Sequence, residues 1–133
     1  PTETDEMFNN TLNLVHEAGL QHLHVFPYSV REGTPAAKMP QVPSKIRKER
    51  AALLRAAGAK ELNKHLESQI GRVINAVVEK ELFARAEDFS AIRTEEAMNP
   101  GEIVKLKITH YLPESGELAG QLQVLLAAAS RYR

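Results

Sequence analysis

Val104-Lys105-Leu106-Lys107-Ile108-Thr109 decides the fold of the second half of this chain. Successive side chains of a β-strand point to opposite faces, so this strict alternation puts Val104, Leu106 and Ile108 on a buried face and Lys105, Lys107 and Thr109 on a wet one. Asn99-Pro100-Gly101 supplies a turn before the strand, and Glu114-Ser115-Gly116 supplies one after it, leading into an apolar run at 118–126. Upstream, residues 73–78 are β-branched and apolar, while 82–89 and 90–93 read as one bent strand or two. Several short antiparallel strands within so few residues predict a small β-barrel over 69–126, because closure removes exposed edges. Residues 127–133 are expected to be a helical turn or a tail.

The first half has a different period. Phe8, Leu12 and Val15 recur at helical spacing after Thr4, whose hydroxyl can cap the helix, with Asp5 and Glu6 complementing its dipole and Gly19 ending it. Residues 20–28 alternate and predict a short strand ended by Pro27, which makes helix plus strand one unit of an alternating α/β layout. Pro27, Pro35, Pro40, Pro43 and Gly33 make 27–43 a loop, long enough to suggest function. From Ser44, a candidate cap, Ile46, Leu53, Leu54, Ala57, Leu62 and Leu66 form the apolar side of a helix over 44–68, with Gly58 a weak point. The fold class is therefore α+β: a partial α/β segment at 1–43, a basic linker helix at 44–68, and a small antiparallel barrel.

The 133 residues contain no cysteine, which excludes disulfides, thiolate metal sites and cysteine nucleophiles. No apolar run reaches the length of a membrane span, and the start is not that of a secretory signal. The net charge of zero conceals an uneven distribution. Arg31 and Lys38 face Glu3, Asp5, Glu6, Glu17 and Glu32 in the first 43 residues, whereas Lys45, Arg47, Lys48, Arg50, Arg55, Lys60 and Lys64 outnumber Glu49 and Glu61 in 44–66. Such a basic stripe is either a solvated helix face or a contact for an anionic partner. His22 and His24, two apart on the expected strand and joined by His16, read as a polar face rather than a zinc site, since no further ligand cluster accompanies them. No nucleophile–base pair, phosphate-cradling glycine loop or carboxylate dyad is evident.

His24-Val25-Phe26-Pro27-Tyr28-Ser29-Val30-Arg31-Glu32-Gly33-Thr34-Pro35-Ala36-Ala37-Lys38-Met39-Pro40 closely resembles the loop after the last barrel strand of radical-SAM methylthiotransferases. Pro1-Thr2-Glu3-Thr4 with Phe8 matches the end of their proline-glycine-glutamate-threonine segment, with Thr2 in place of glycine. Gly71-Arg72-Val73, residues 84–89, Pro100-Gly101-Glu102-Ile103-Val104 and Leu118-Ala119-Gly120 are similar to a TRAM domain, an OB-like RNA-binding β-barrel, although Ala84 stands where glycine is common. Because Pro1 cuts into a motif, the chain is expected to be a C-terminal portion of a longer enzyme. The wording of the loop most resembles the branch acting on threonylcarbamoyladenosine; a rival branch modifies a ribosomal protein.

The resemblance implies methylthio transfer to a modified adenosine beside the tRNA anticodon, in the cytoplasm. It also implies S-adenosylmethionine and two four-iron four-sulfur clusters held on cysteines that this chain lacks, so the chain alone is expected to be inactive. Glu3, Tyr28 and Arg31 would lie near the cofactor and substrate mouth, where loops follow the C-terminal ends of barrel strands; Arg31 could instead pair with Glu32 or a barrel carboxylate. Arg47, Lys48, Arg50 and Arg55 on the helix, and Arg72, Arg85, Arg93, Lys105 and Lys107 on the barrel, are the candidates for an anticodon stem-loop, with Phe83 or Phe89 stacking on bases and one of the two expected in the core. The missing N-terminal domains are an implied partner. A structural alternative is a non-catalytic interaction module: apolar surface at Phe8, Leu12, Val25 and Phe26, left uncovered, would favour a homodimer or exchange of the N-terminal segment.

Overall fold

A computed structural model describes residues 1–127 of the chain. They form α1 (Asp5–Glu17), a 3-10 turn (Pro35–Lys38), α2 (Ser44–Ser68) and the strands β1 (Val73–Lys80), β2 (Phe83–Ala86), β3 (Ala91–Arg93), β4 (Ile103–Leu112) and β5 (Glu117–Ala127). Two compact units result, Pro1–Leu62 and Asn63 onward. Ala127, expected in the tail, ends β5, and the rest of that expected tail, 128–133, lies outside the described residues.

In the first unit Thr4 caps α1 as expected, accepting a hydrogen bond from the Met7 N–H at 3.2 Å. Phe8 and Val15 turn inward and are buried, so Phe8 does not belong to the uncovered apolar surface expected for it. The Arg50 guanidinium lies 5.4 Å from the centre of its ring. Thr2, at the position where the resembling enzymes carry glycine, has φ 59, a left-handed conformation that a β-branched residue rarely adopts. Ser44 is the first residue inside α2 rather than its cap; the helical ladder starts with Arg47 N–H donating to Pro43 O at 3.1 Å.

Residues 20–28 form no strand, contrary to the alternation in the sequence. The two faces are present, since Leu23 and Val25 are half-buried while His22, His24 and Phe26 are exposed, but no second strand lies beside them among the described residues of this unit. Lacking a ladder, carbonyls are met by side chains: Arg47 donates to Tyr28 O, and Arg55 to Val25 O at 3.4 Å. Leu23 explains the glycine inside α2. A Cβ on Gly58 would lie 2.8 Å from Leu23 Cδ1, so the helix gives up propensity to let the segment approach. The proline-rich stretch holds one short element, the 3-10 turn, capped by Thr34 Oγ1 accepting from Ala37 N–H at 3.3 Å.

The second unit is a closed barrel in the order β1-β2-β3-β5-β4. Four pairings are antiparallel; the fifth, β3 with β5, is parallel, so the sheet is mixed rather than wholly antiparallel. Register shifts on β4 and β5 bend these two long strands around the barrel. β2 and β3 are separate strands joined by a tight turn, which resolves the ambiguity at 82–93. Val104, Leu106 and Ile108 point inward with no exposed surface, alongside Ile92 and Leu118, and each such side chain stabilises the fold by about 1.5–3 kcal/mol. Neither Phe83 nor Phe89 joins this core, against expectation. Ala76, Ala84, Ala86 and Gly120 face a narrow interior that leaves no room for a ring, and a Cβ on Gly120 would already meet Ile92 Cγ2 at 3.0 Å.

Candidate nucleic-acid interface

The wet face of β4 is the start of the site. Lys105 sits opposite Asn75 on β1 and Val124 on β5; Lys107 sits opposite Val73 and Gln121. No carboxylate faces either ammonium across the sheet, and neither makes an ion pair among the described residues. Arg72 lies just before β1, where its guanidinium donates to Gln69 Oε1 at 3.1 Å and makes no ion pair among the described residues. Arg72, Lys105, Asn75, His65 and Asp88 line an open groove of about 590 Å³.

A second groove of about 400 Å³ adjoins it, lined by Val77, Ile103 and Phe89 together with Arg85, Asn75 and Glu87. Phe89 occupies the tip of the β2–β3 turn at φ 67 with 75% of its surface exposed. Three-residue hairpin turns favour glycine in that left-handed position, so a bulky residue there stores backbone strain while showing its ring to solvent. The turn is held by Phe89 N–H donating to Ala86 O at 3.0 Å and by Arg85 donating to Phe89 O at 3.2 Å.

The other two candidate cations of the barrel, Arg85 and Arg93, are engaged by its own carboxylates. Arg85 forks onto Glu79 with both bonds at 3.1 Å and stacks over Phe83 at 5.1 Å, while Arg93 forks onto Glu117. The hydrogen bonds from Arg85 and Arg93 hold the Glu79 and Glu117 carboxyls below the usual range. Burial pushes Asp88 up, but the Ser90 N–H at 3.0 Å and His65 Nε2 at 2.5 Å outweigh it, and its carboxyl also ends low. The sign follows directly. Groups with depressed folded-state values contribute stability that is intact above the ordinary carboxylate range and is lost as pH falls through it. The melting temperature of the second unit is thus expected to hold from neutral pH to about pH 5 and to drop below about pH 4. Glu117→Gln should flatten that drop; a pH-melting series in which it falls equally steeply would refute the assignment.

In the first unit the structure brings Glu3, Tyr28, Arg47 and Arg50 to one cavity of about 320 Å³. Arg50, although read as a phosphate contact, is buried and engaged: Nη1 donates to Glu3 Oε2 at 2.7 Å and Nη2 to Asp5 Oδ1 at 2.6 Å. Its charged bonds, Asp5 first, raise its pKa. This guanidinium ties the start of the chain to α2. Glu3 is its partner rather than a free carboxylate. Tyr28 Oη and Arg47 Nε are buried without a hydrogen-bond partner among the described residues. Arg31 and Lys48 are exposed and unpaired among the described residues, so the pairing of Arg31 with Glu32 is not formed. His16 Nδ1 lies 2.9 Å from Glu61, apart from His22 and His24, and no group of three metal-ligand side chains occurs among the described residues. With no cysteine in the sequence, the chain offers no thiolate to an iron–sulfur cluster.

Sequence reading missed Asn75, Glu87, His65 and Asp88. Asn75 and Glu87 form the wall common to the two grooves, with Asn75 Nδ2 donating to Glu87 Oε1 at 3.4 Å. The alternation of 73–78 could have placed Asn75 outward beside Lys105; Glu87 and Asp88 depend on a turn geometry that leaves no periodic trace, and His65 on the distant contact of α2 with that turn.

The architecture defines an α+β chain carrying a TRAM- or OB-like barrel. No protein-family model matches the chain. Among curated proteins, it is 49% identical over 108 residues to the threonylcarbamoyladenosine tRNA methylthiotransferase of Rickettsia prowazekii, covering 81% of this chain and 26% of that protein. It is 37% identical over 124 residues to the tRNA-2-methylthio-N(6)-dimethylallyladenosine synthase of Geobacillus thermodenitrificans, covering 92% of the chain and 21% of the relative. A probable threonylcarbamoyladenosine tRNA methylthiotransferase of Methanocaldococcus jannaschii is 35% identical over 109 residues, 82% of the chain and 25% of the relative. The chain matches one segment of the tRNA methylthiotransferase family, and it spans about a quarter of the length of these relatives.

Proposed function

We propose that this chain is the RNA-binding part of a cytoplasmic radical-SAM tRNA methylthiotransferase, delivering an anticodon stem-loop for methylthio transfer to a modified adenosine beside the anticodon. The observation that carries the reading is the outer face of the barrel, where Lys105, Lys107 and Arg72 have no carboxylate partner among the described residues and the groove of Arg72 and Lys105 adjoins that of the exposed, strained Phe89. Cations without internal partners attract a phosphate backbone, and a rigidly presented ring stacks on unpaired bases. Lys48 adds an unpaired charge on α2. S-adenosylmethionine and the two clusters would be held with cysteines supplied by other polypeptide, and the chain alone is inactive. Glu3, Tyr28 and Arg31 are assigned near that mouth.

Fluorescence anisotropy with an anticodon stem-loop tests the reading. Affinity should fall with salt at a slope of about three to five released counterions, and Phe89→Ala should weaken binding about tenfold. Absence of binding at low salt would remove the barrel as the RNA contact. The first unit keeps Met7, Leu14, Phe26 and Val30 exposed, which favours a protein partner there: the remainder of a longer enzyme, or a second copy through dimerisation or segment exchange.

A further inference from the structure

The two grooves on the barrel differ in kind and share a wall. One is apolar, with Val77 and Ile103 opposite each other across β1 and β4 and Phe89 at its rim, exposed by 46%, 41% and 75%. The other is cationic, with Arg72 and Lys105. Its one acidic member besides Glu87 is Asp88, whose charge is already met by His65 and the Ser90 N–H. The wall carries Glu87 and Asn75, both exposed, joined only by a long 3.4 Å bond. Arg85 and Glu79, also beside the apolar groove, are spent on one another.

We infer that these paired grooves hold one unpaired guanine nucleotide, its base in the apolar groove and its phosphate in the cationic one, with Glu87 and Asn75 reading the base edge. This rests on the RNA-binding reading above and adds a specificity to it. A nucleotide is the ligand whose halves match: a flat apolar face suits Val77, Ile103 and the Phe89 ring, and an adjoining anion suits Arg72 and Lys105. Base identity follows from donor and acceptor counting. An ionised carboxylate only accepts hydrogen bonds, and it accepts two side by side. Guanine alone among the four bases presents two adjacent N–H donors, N1–H and the N2 amino group, next to an acceptor, O6. Glu87 takes the two donors, and the Asn75 amide N–H serves O6. Adenine and cytosine place a ring-nitrogen lone pair against the carboxylate, and uracil a single donor between two carbonyls, so each is disfavoured by repulsion or by an unmet group.

Anisotropy of the 133-residue chain with uridine heptamers carrying G, A, C or U at the centre decides the matter. The G-centred heptamer should bind about tenfold more tightly than the other three. Glu87→Gln should erase that preference, bringing the ratio of G-centred to U-centred affinity to within about twofold of one. Glu87 is exposed, and an unchanged melting temperature shows that the variant folds. Equal affinity for all four centres, or preference for another base, overturns the guanine site but leaves salt-dependent RNA binding standing. A guanine preference that survives Glu87→Gln overturns the role of Glu87. Failure of every heptamer to bind at low salt removes the RNA-binding reading itself, and this inference with it.

Discussion

Leu106→Ala is expected to cost the barrel about 2–5 kcal/mol, enough to leave it largely unfolded at moderate temperature. Leu106 has no exposed surface and sits in the middle of β4, the strand that pairs with both β1 and β5. Truncation removes transfer energy and leaves a cavity, and the walls around it collapse poorly. Gly120 lies on one side, where even a Cβ would meet Leu106 Cβ at 3.4 Å, and Ile74 is its partner across the β1 pairing. A small domain has little stability to lose, so the melting temperature should fall by about 10 °C or more. Thermal melts followed by near-UV circular dichroism, with hydrogen exchange of β1 and β4 amides, would measure it; a shift under about 3 °C would show that β4 is not the centre of the core.

The second large effect concerns the wet face of the same strand. Lys105→Glu combined with Lys107→Glu should weaken stem-loop binding about a hundredfold near 0.1 M salt, with the salt slope reduced by about 1.4–1.8. Two lost phosphate contacts account for roughly 25-fold of this, and two new negative charges facing the backbone supply the rest. Because both side chains are exposed and unpaired, the barrel should fold unchanged. Equal loss of affinity in Arg93→Glu, whose charge is held by Glu117, would mean that the effect is one of net charge rather than of this face.

Much of this was legible in the residues. The alternation around Leu106 gave the buried and wet faces of β4, and the strand count gave a small barrel. What escaped notice depended on distant partners. Residues 20–28 carry a strand's alternation, yet alternation reports only which face is covered, while a ladder also needs a neighbour. The parallel pairing of β3 and β5 joins residues far apart in sequence through a strand too short to announce a direction. On α2, Arg50 has the same local context as Lys48, but the helix turns it over Phe8 toward Glu3 and Asp5, and only that geometry separates a structural cation from an available one. Phe89 was chosen for its ring, while its left-handed backbone, the stronger reason to suspect it, is invisible to periodicity.

The mixed closure of the barrel also sets a schedule. β5 is bonded to β4 along one side and to β3 along the other, so without it both neighbours are open edges. A nascent chain can build the β1–β2, β2–β3 and β1–β4 pairings in turn as they emerge, but each intermediate has two unpaired rims and an aliphatic interior not yet closed over. Closure comes as a single late event, when Glu117–Ala127 has been synthesised and inserts between them. Chaperone engagement during translation should therefore persist until that strand is available and end abruptly once it is.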